Sequence, residues 1–301
     1  MSALSIKQLR KTYKNGFEAL KGIDFEVEDG DFFALLGPNG AGKSTLIGII
    51  SSLVTKSSGT VTVCGYDLDK QNTQVKSCIG LVPQEINFNQ FETVGNVVLN
   101  QAGYYGIASK VAKQRAEHCL RQLDLWDRRH TISRRLSGGM KRRLMIARAM
   151  VHSPRLLILD EPTAGVDIEI RHAMWNMMQQ VNQEGVTIIL TTHYLEEAES
   201  LCRNIAFIDN GQISEKSAMS SFLNTIDVEH FILDIAMPLP EAPSINGYTI
   251  ELLNPRQISV AIPKALGMNA LFAELSARGI EVASLKNKTN RLEQLFLDRM
   301  Q

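Results

Sequence analysis

Gly37-Pro38-Asn39-Gly40-Ala41-Gly42-Lys43-Ser44-Thr45 contains the residue types needed to grip a chain of phosphates. The spacing G-x-x-x-x-G-K-S turns backbone N–H groups inward around an anion, and a helix start adds partial positive charge. In such a loop Lys43 reaches the β- and γ-phosphates, and the Ser44 hydroxyl helps hold Mg²⁺. The flanks suit this chemistry. Apolar Phe32-Phe33-Ala34-Leu35-Leu36 reads as the strand before it, and Leu46-Ile47-Gly48-Ile49-Ile50 as the opening of the helix after it. This pattern in this context predicts that the chain binds ATP or GTP.

Two further runs carry chemistry. Leu156-Leu157-Ile158-Leu159-Asp160-Glu161-Pro162 is an apolar strand that delivers two carboxylates at its end. Asp160 is placed to orient a Mg²⁺ shell, and Glu161 to polarise an attacking water as a general base. Leu136-Ser137-Gly138-Gly139-Met140 opens a helical run reaching about Val151. Ser137 stands where an N-cap belongs, and two glycines leave the N–H groups bare. A second anion site without a lysine makes sense if it completes a nucleotide held by another copy. A simple Ser-Gly helix cap explains these five residues equally well on their own.

The elements that must position these residues follow from periodicity. Ile23-Asp24-Phe25-Glu26-Val27 alternates like a strand, with turns at Asn15-Gly16 and Asp29-Gly30. Strands are also expected at 60–64 and 79–82, the latter stopping at Pro83. A helical pattern runs from about Val94 to Trp126. The fully apolar 156–159 run fits a buried parallel sheet. A helix over about 169–183 and a strand at 186–190 complete a βαβ step, and a strand at 205–209 closes the first domain. Beyond about Lys216 come three strands, at 231–235, 248–252 and 258–262. Met268, Leu271, Phe272 and Leu275 then repeat at helical spacing up to Gly279. A strand at Ile280-Glu281-Val282 and a terminal helix striped by Leu292, Leu295 and Phe296 end the pattern.

Composition bounds the classes. The chain has 301 residues, 44% hydrophobic and 21% charged, with zero formal net charge, as in a globular protein. No bulk basic field argues for nucleic acid. Apolar runs fall far short of the roughly 20 residues that span a bilayer, and the N-terminus lacks a signal-peptide core. Four scattered cysteines without a C-x-x-C pair read as reduced thiols in a cytosolic protein. The arginines and lysines around 128–148 lack interleaved aromatics and read as a solvated face or a protein interface.

Taken in order, these runs resemble the ATP-binding subunits of ABC transporters over roughly the first 215 residues. Walker A at 37–45, the signature at 136–140, Walker B ending in Asp160-Glu161 and a later histidine, His193, stand in the family's sequence. The resemblance implies that Gln84 is the glutamine that touches Mg²⁺ and couples to the membrane partner. Ala164-Gly165-Val166-Asp167 would be the segment crossing between subunits. His193 would contact the γ-phosphate, and Tyr13 would stack on adenine. Met140 departs from the usual glutamine, which leaves the Ser137, Gly138 and Gly139 contacts in place. The implied fold is α/β: a phosphate-loop ATPase core over 1–215 with an N-terminal antiparallel β-subdomain and a helical subdomain at about 85–155. Residues 216–301 would form a small C-terminal accessory α+β domain.

The resemblance also implies ATP and Mg²⁺, a second ATPase subunit, and an integral membrane permease on a separate chain at the cytoplasmic face of the inner membrane. No direct nucleic-acid contact is expected. The C-terminal run Arg291-Leu292-Glu293-Gln294-Leu295-Phe296-Leu297 is similar to the tail of bacterial drug-exporter-type ATPases, so export of drug-like or lipophilic substrates leads over import. A soluble ABC ATPase acting on DNA or ribosomes is the competing class. The single Walker A, and the lack of a long coiled coil before the signature, argue against it.

Overall fold

In the computed structural model, residues 2–288 together with Leu292 and Leu295 are described. The chain divides into two compact units, Met1–Ala218 and Met219–Gln301.

The first unit opens with a hairpin of β1 (Ser2–Thr12) and β2 (Glu18–Glu28), turned at Asn15-Gly16. Next come β3 (Phe32–Leu36), α1 (Lys43–Ile50), β4 (Ser58–Val63), the short β5 (Tyr66–Asp67), α2 (Asn72–Cys78) and β6 (Ile79–Val82). Three helices follow: α3 (Val94–Tyr104), α4 (Ser109–Gln122) and α5 (Gly138–Met150). The unit ends with β7 (Leu156–Asp160), α6 (Ile168–Gln183), β8 (Thr187–Thr191), α7 (Leu195–Leu201), β9 (Asn204–Asp209) and β10 (Gln212–Ala218).

Two sheets result. One is antiparallel in the order β2-β1-β4-β5; the other runs β10-β9-β3-β8-β7-β6. In the second sheet β3, β6, β7, β8 and β9 are parallel, and β10 pairs antiparallel with β9 at the edge. Every residue of β3 and β8 is buried, which explains the unbroken apolar run of β3 and the apolar centre of β8 between Thr187 and Thr191. Leu46, Ile47, Ile49 and Ile50 of α1 share one apolar cluster with Leu4 and Ile6 of β1, Ile158 of β7 and Ile189 of β8. The helix that carries Lys43 is thus clamped by apolar side chains from both sheets.

The structure departs from the sequence expectations in three places. The helical pattern from 94 to 126 is two helices, broken where Gly106 takes φ +69°. The strand at 205–209 does not end the sheet, because β10 adds one more. The strand expected at Ile280-Glu281-Val282 begins only at Val282 and runs on to Asn287.

The second unit contains α8 (Met219–Leu223), β11 (Val228–Ile235), β12 (Thr249–Asn254), β13 (Gln257–Pro263), α9 (Gly267–Ala277) and β14 (Val282–Asn287). Its antiparallel sheet has the order β12-β13-β11-β14. Leu271 and Leu275 of α9 form its core with Phe231, Leu233, Ile258 and Val260. Leu292 and Leu295 are helical and buried; the rest of the expected terminal helix, including Phe296, lies outside the described residues. Among the described residues no helix is long and apolar enough to cross a membrane.

Beneath β6, the buried ring of His152 stacks on Tyr105 with centroids 3.8 Å apart, and its Nε2 lies 2.9 Å from the Ile79 carbonyl. Burial pushes this imidazole down to about 4, against the Ile79 carbonyl, which favours the protonated ring. In the unfolded chain it titrates near 6.5. Between about pH 6.5 and about 4 the unfolded state therefore holds a proton that the folded state does not, and stability falls as pH drops. Unfolding free energies from denaturant titrations followed by tryptophan fluorescence should decline through this window by up to about 1.4 kcal/mol per pH unit more than in His152→Phe. Equal slopes would show that the ring is not held neutral.

Candidate active site

Strand register decides what meets at the carboxyl edge of the parallel sheet. β3 pairs with β8 through Ala34 and Leu190, and β8 pairs with β7 through Thr191 and Asp160. The three strands therefore release the glycine loop, the Asp160-Glu161 pair and the His193 loop at one edge.

The loop between β3 and α1 has positive φ at Gly37 (+155°), Gly40 (+81°) and Gly42 (+111°). A Cβ on Gly37 would stand 2.0 Å from the Ile208 carbonyl oxygen. Gly42, at the N-cap of α1, provides no capping side chain, and the first turn carries no acid. The leading N–H groups of α1 are left to an external acceptor, and the helix dipole favours an anion there. Lys43 Nζ curls over this loop, donating to the Gly37 carbonyl at 2.6 Å and the Pro38 carbonyl at 2.9 Å. Burial pushes the Lys43 ammonium below its ordinary value, while the Glu161 and Asp160 carboxylates oppose that shift. Ser44 is exposed on the first turn, and the Thr45 hydroxyl lies 3.1 Å from Tyr13 Oη. Tyr13 is 36% exposed, with Lys11 Nζ 4.9 Å from its ring centroid.

Glu161 follows β7 in the left-handed region, φ +49°. That conformation is strained for a residue with a Cβ and needs external support. Support comes from its N–H, which donates to the Thr191 carbonyl at 3.0 Å. Its carboxylate accepts from Gln84 Nε2 at 2.7 Å and meets His193 Nε2 at 2.5 Å. Asp160 accepts from the Thr191 hydroxyl at 2.5 Å. The Gln84 carbonyl in turn accepts from the Arg142 guanidinium on α5. Glu161, Gln84 and His193 thus form one cluster, although they are far apart in sequence.

Ser137 caps α5, its Oγ accepting from the Met140 N–H at 3.3 Å. A Cβ on Gly139 would stand 2.6 Å from Ile170 Cγ2, whereas Gly138 is open on its Cβ side. The contacts of this triplet are with α5 and Ile170, not with the glycine loop. Within one chain the structure does not bring the two glycine runs together.

The ABC transporter family matches residues 20–164. The linearmycin resistance ATP-binding protein LnrL of Bacillus subtilis is 36% identical over 304 residues, covering 98% of this chain and 97% of that protein. This chain belongs to the ATP-binding subunits of ABC transporters. The Nod factor export ATP-binding protein I of Cupriavidus metallidurans is 39% identical over 210 residues, 69% of each chain. Among solved structures, the ATP-binding subunit of an ABC transporter superposes with TM-score 0.67 at 29% identity, covering 74% of this chain and 92% of that one. A dimeric bacterial ABC transporter cassette superposes with TM-score 0.64 at 27% identity, covering 72% and 98%.

As an ABC ATPase the chain binds nucleotide and hydrolyses ATP. The cassette also contains site neighbours that its motifs do not name. Thr191 and Arg142 hold Asp160 and the Gln84 backbone, and neither stands out in sequence. The only trace of Thr191 is a hydroxyl closing an apolar strand just before His193. The 164–167 turn follows Glu161 directly: Ala164 N–H donates to the Glu161 carbonyl at 3.2 Å, Gly165 takes φ +71°, and Asp167 begins α6.

Because a Cβ at position 37 collides with backbone and φ there disfavours L side chains, Gly37→Ala must displace the loop. Titration with a fluorescent ATP analogue should show binding weakened at least about tenfold, which is about 1.4 kcal/mol. Unchanged affinity would mean that the loop shape is not set at this corner.

Proposed function

We propose that residues 1–215 form the ATPase domain, with a helical subdomain at about 85–155, and that two copies close around ATP to drive export through a separate membrane permease. The observation that carries this reading is Glu161, held between Gln84 and His193 and electrostatically coupled to Lys43. A carboxylate so held is aimed to take a proton from the attacking water. Lys43 and His193 stabilise charge on the γ-phosphate, and Gln84 positions the water. The backbone of residues 37–45 cradles the phosphates, and Tyr13 meets the adenine.

Ser44, Gln84 and Asp160 offer a hydroxyl, an amide oxygen and a carboxylate, hard oxygen donors that suit Mg²⁺. Among the described residues no three His, Cys, Asp or Glu form a cage, which fits an ion completing its shell with phosphate oxygens and water. When bound, Mg²⁺ would supply positive charge to offset that of the phosphate chain.

Ser137, Gly138 and Gly139 lie on α5 without contact to their own glycine loop, which supports completion of the site in trans by a second copy. The γ-phosphate gives closure its differential affinity, and hydrolysis removes it. A groove lined by Leu53, Lys76, Asn87, Tyr104, Tyr105 and Arg148 suits the permease. Leu53 and Tyr104 are 72% and 86% exposed there, and Asn87 lies three residues after Gln84. The protein then sits peripherally on the cytoplasmic face of the membrane. The relatives named for linearmycin resistance and Nod factor export support export over import; the substrates would be drug-like or lipophilic, and residues 216–301 would be an accessory domain.

Glu161→Gln should bind ATP yet lose at least roughly 100-fold in kcat, as removal of a general base does; near-normal turnover refutes that role. In sedimentation velocity, Ser137→Arg should keep nucleotide binding but remain monomeric when ATP is added to a hydrolysis-deficient background. Dimers that persist would overturn completion in trans.

A further inference from the structure

Behind the His193–Glu161 contact lies a buried carboxyl that the reaction above does not use. Glu197, on α7, has no exposed surface. Its Oε1 accepts from the Thr163 hydroxyl at 3.0 Å and from Trp175 Nε1 at 2.9 Å. Oε2 has no hydrogen-bond partner among the described residues. The Thr192 hydroxyl also stabilises its charge, and itself accepts from the Tyr194 N–H at 3.0 Å. Burial raises the affinity of this carboxyl for a proton, and the hydroxyls of Thr192 and Thr163, the indole and the Arg171 charge work against that.

The partners of Glu197 belong to different arms of the site. Thr192 immediately precedes His193. Thr163 sits two residues past Glu161; Val166 N–H reaches back to the Thr163 carbonyl at 3.2 Å, closing the 163–167 turn. Trp175 lies on α6, which that turn begins. Arg171, one helical turn earlier, repeats the link on the outer side. Its guanidinium carbon is 3.8 Å from the Tyr194 ring centroid, and its Nη2 donates to the Val166 carbonyl at 3.4 Å. A carboxyl buried at this depth is costly unless its contacts are required, because apolar packing would serve stability as well.

We propose that Glu197 is a positioning residue that locks the His193 loop and the 163–167 turn into one unit. Displacement of His193 by a γ-phosphate is then transmitted to the turn that meets the second copy, so each of the two ATP sites registers occupancy of the other. This rests on the dimeric reading above.

Three variants of the full chain test it. Glu197→Leu removes the acceptor. Thr163→Val cuts only the arm to the turn and leaves Trp175 bonded. Glu197→Gln retains an oxygen acceptor for both donors. ATP-analogue affinity and thermal midpoint are measured beside kcat and the Hill coefficient for ATP. Thr163→Val should lower the thermal midpoint yet stay folded at the assay temperature and bind ATP like wild type, while losing about tenfold in kcat and dropping to a Hill coefficient near 1. Glu197→Leu should do the same or worse, and Glu197→Gln should restore most of both. If folded Thr163→Val keeps wild-type kcat and cooperativity, the proposal fails even should Glu197→Leu not fold. If wild type neither dimerises on ATP nor shows cooperativity, the dimeric reading fails instead.

Discussion

The nucleotide site depends on the pairing of three neighbouring strands, β3, β8 and β7, buried in a parallel sheet. Parallel pairing sends all three chain ends out of the same edge, and the register of Ala34 with Leu190 and Asp160 with Thr191 fixes how far each projects. A slip of one residue would turn Asp160 toward the opposite face. Burial on both faces makes such a slip costly, since each strand would exchange packed aliphatic groups for voids. Apolar packing far from any phosphate thereby sets the geometry of a charged site.

Around that edge the polar groups are arranged in a hierarchy. Asp160 and Glu161 face the chemistry, Thr191 steadies both, and Glu197 stands behind them in the dry interior. Thr191 and Glu197 are fully buried whereas Asp160 and Glu161 are half-buried, so the inner hydrogen bonds are stronger and an unmade one is more damaging.

The local chemistry was readable in sequence because it is local. A glycine loop between an apolar strand and a helix, and two acids after Leu156–Leu159, carry their meaning within nine residues. The sequence of motifs carried the family, alternation at 23–27 carried β2, and short apolar-rich runs carried β11–β13. What escaped depends on partners distant along the chain. Thr191, Arg142 and Glu197 act mainly through residues some 20 to 60 positions away, and their immediate neighbours in sequence say little of those partners. β10 was missed because its alternating half-exposed residues resemble a turn until β9 supplies the pairing. The single helical pattern over 94–126 conceals a glycine break, since periodicity persists across a short interruption.

The collision of a Gly37 Cβ with the Ile208 carbonyl has a genetic corollary. The obstructing atom is backbone, so shrinking the side chain at 208 cannot make room for a larger residue at 37. Intragenic suppressors of a lost glycine would have to move β9 itself, dragging the sheet along with it. This corner of the fold is therefore shut to compensatory drift, and variation among descendants of this chain is confined to surfaces that have a side chain to trade.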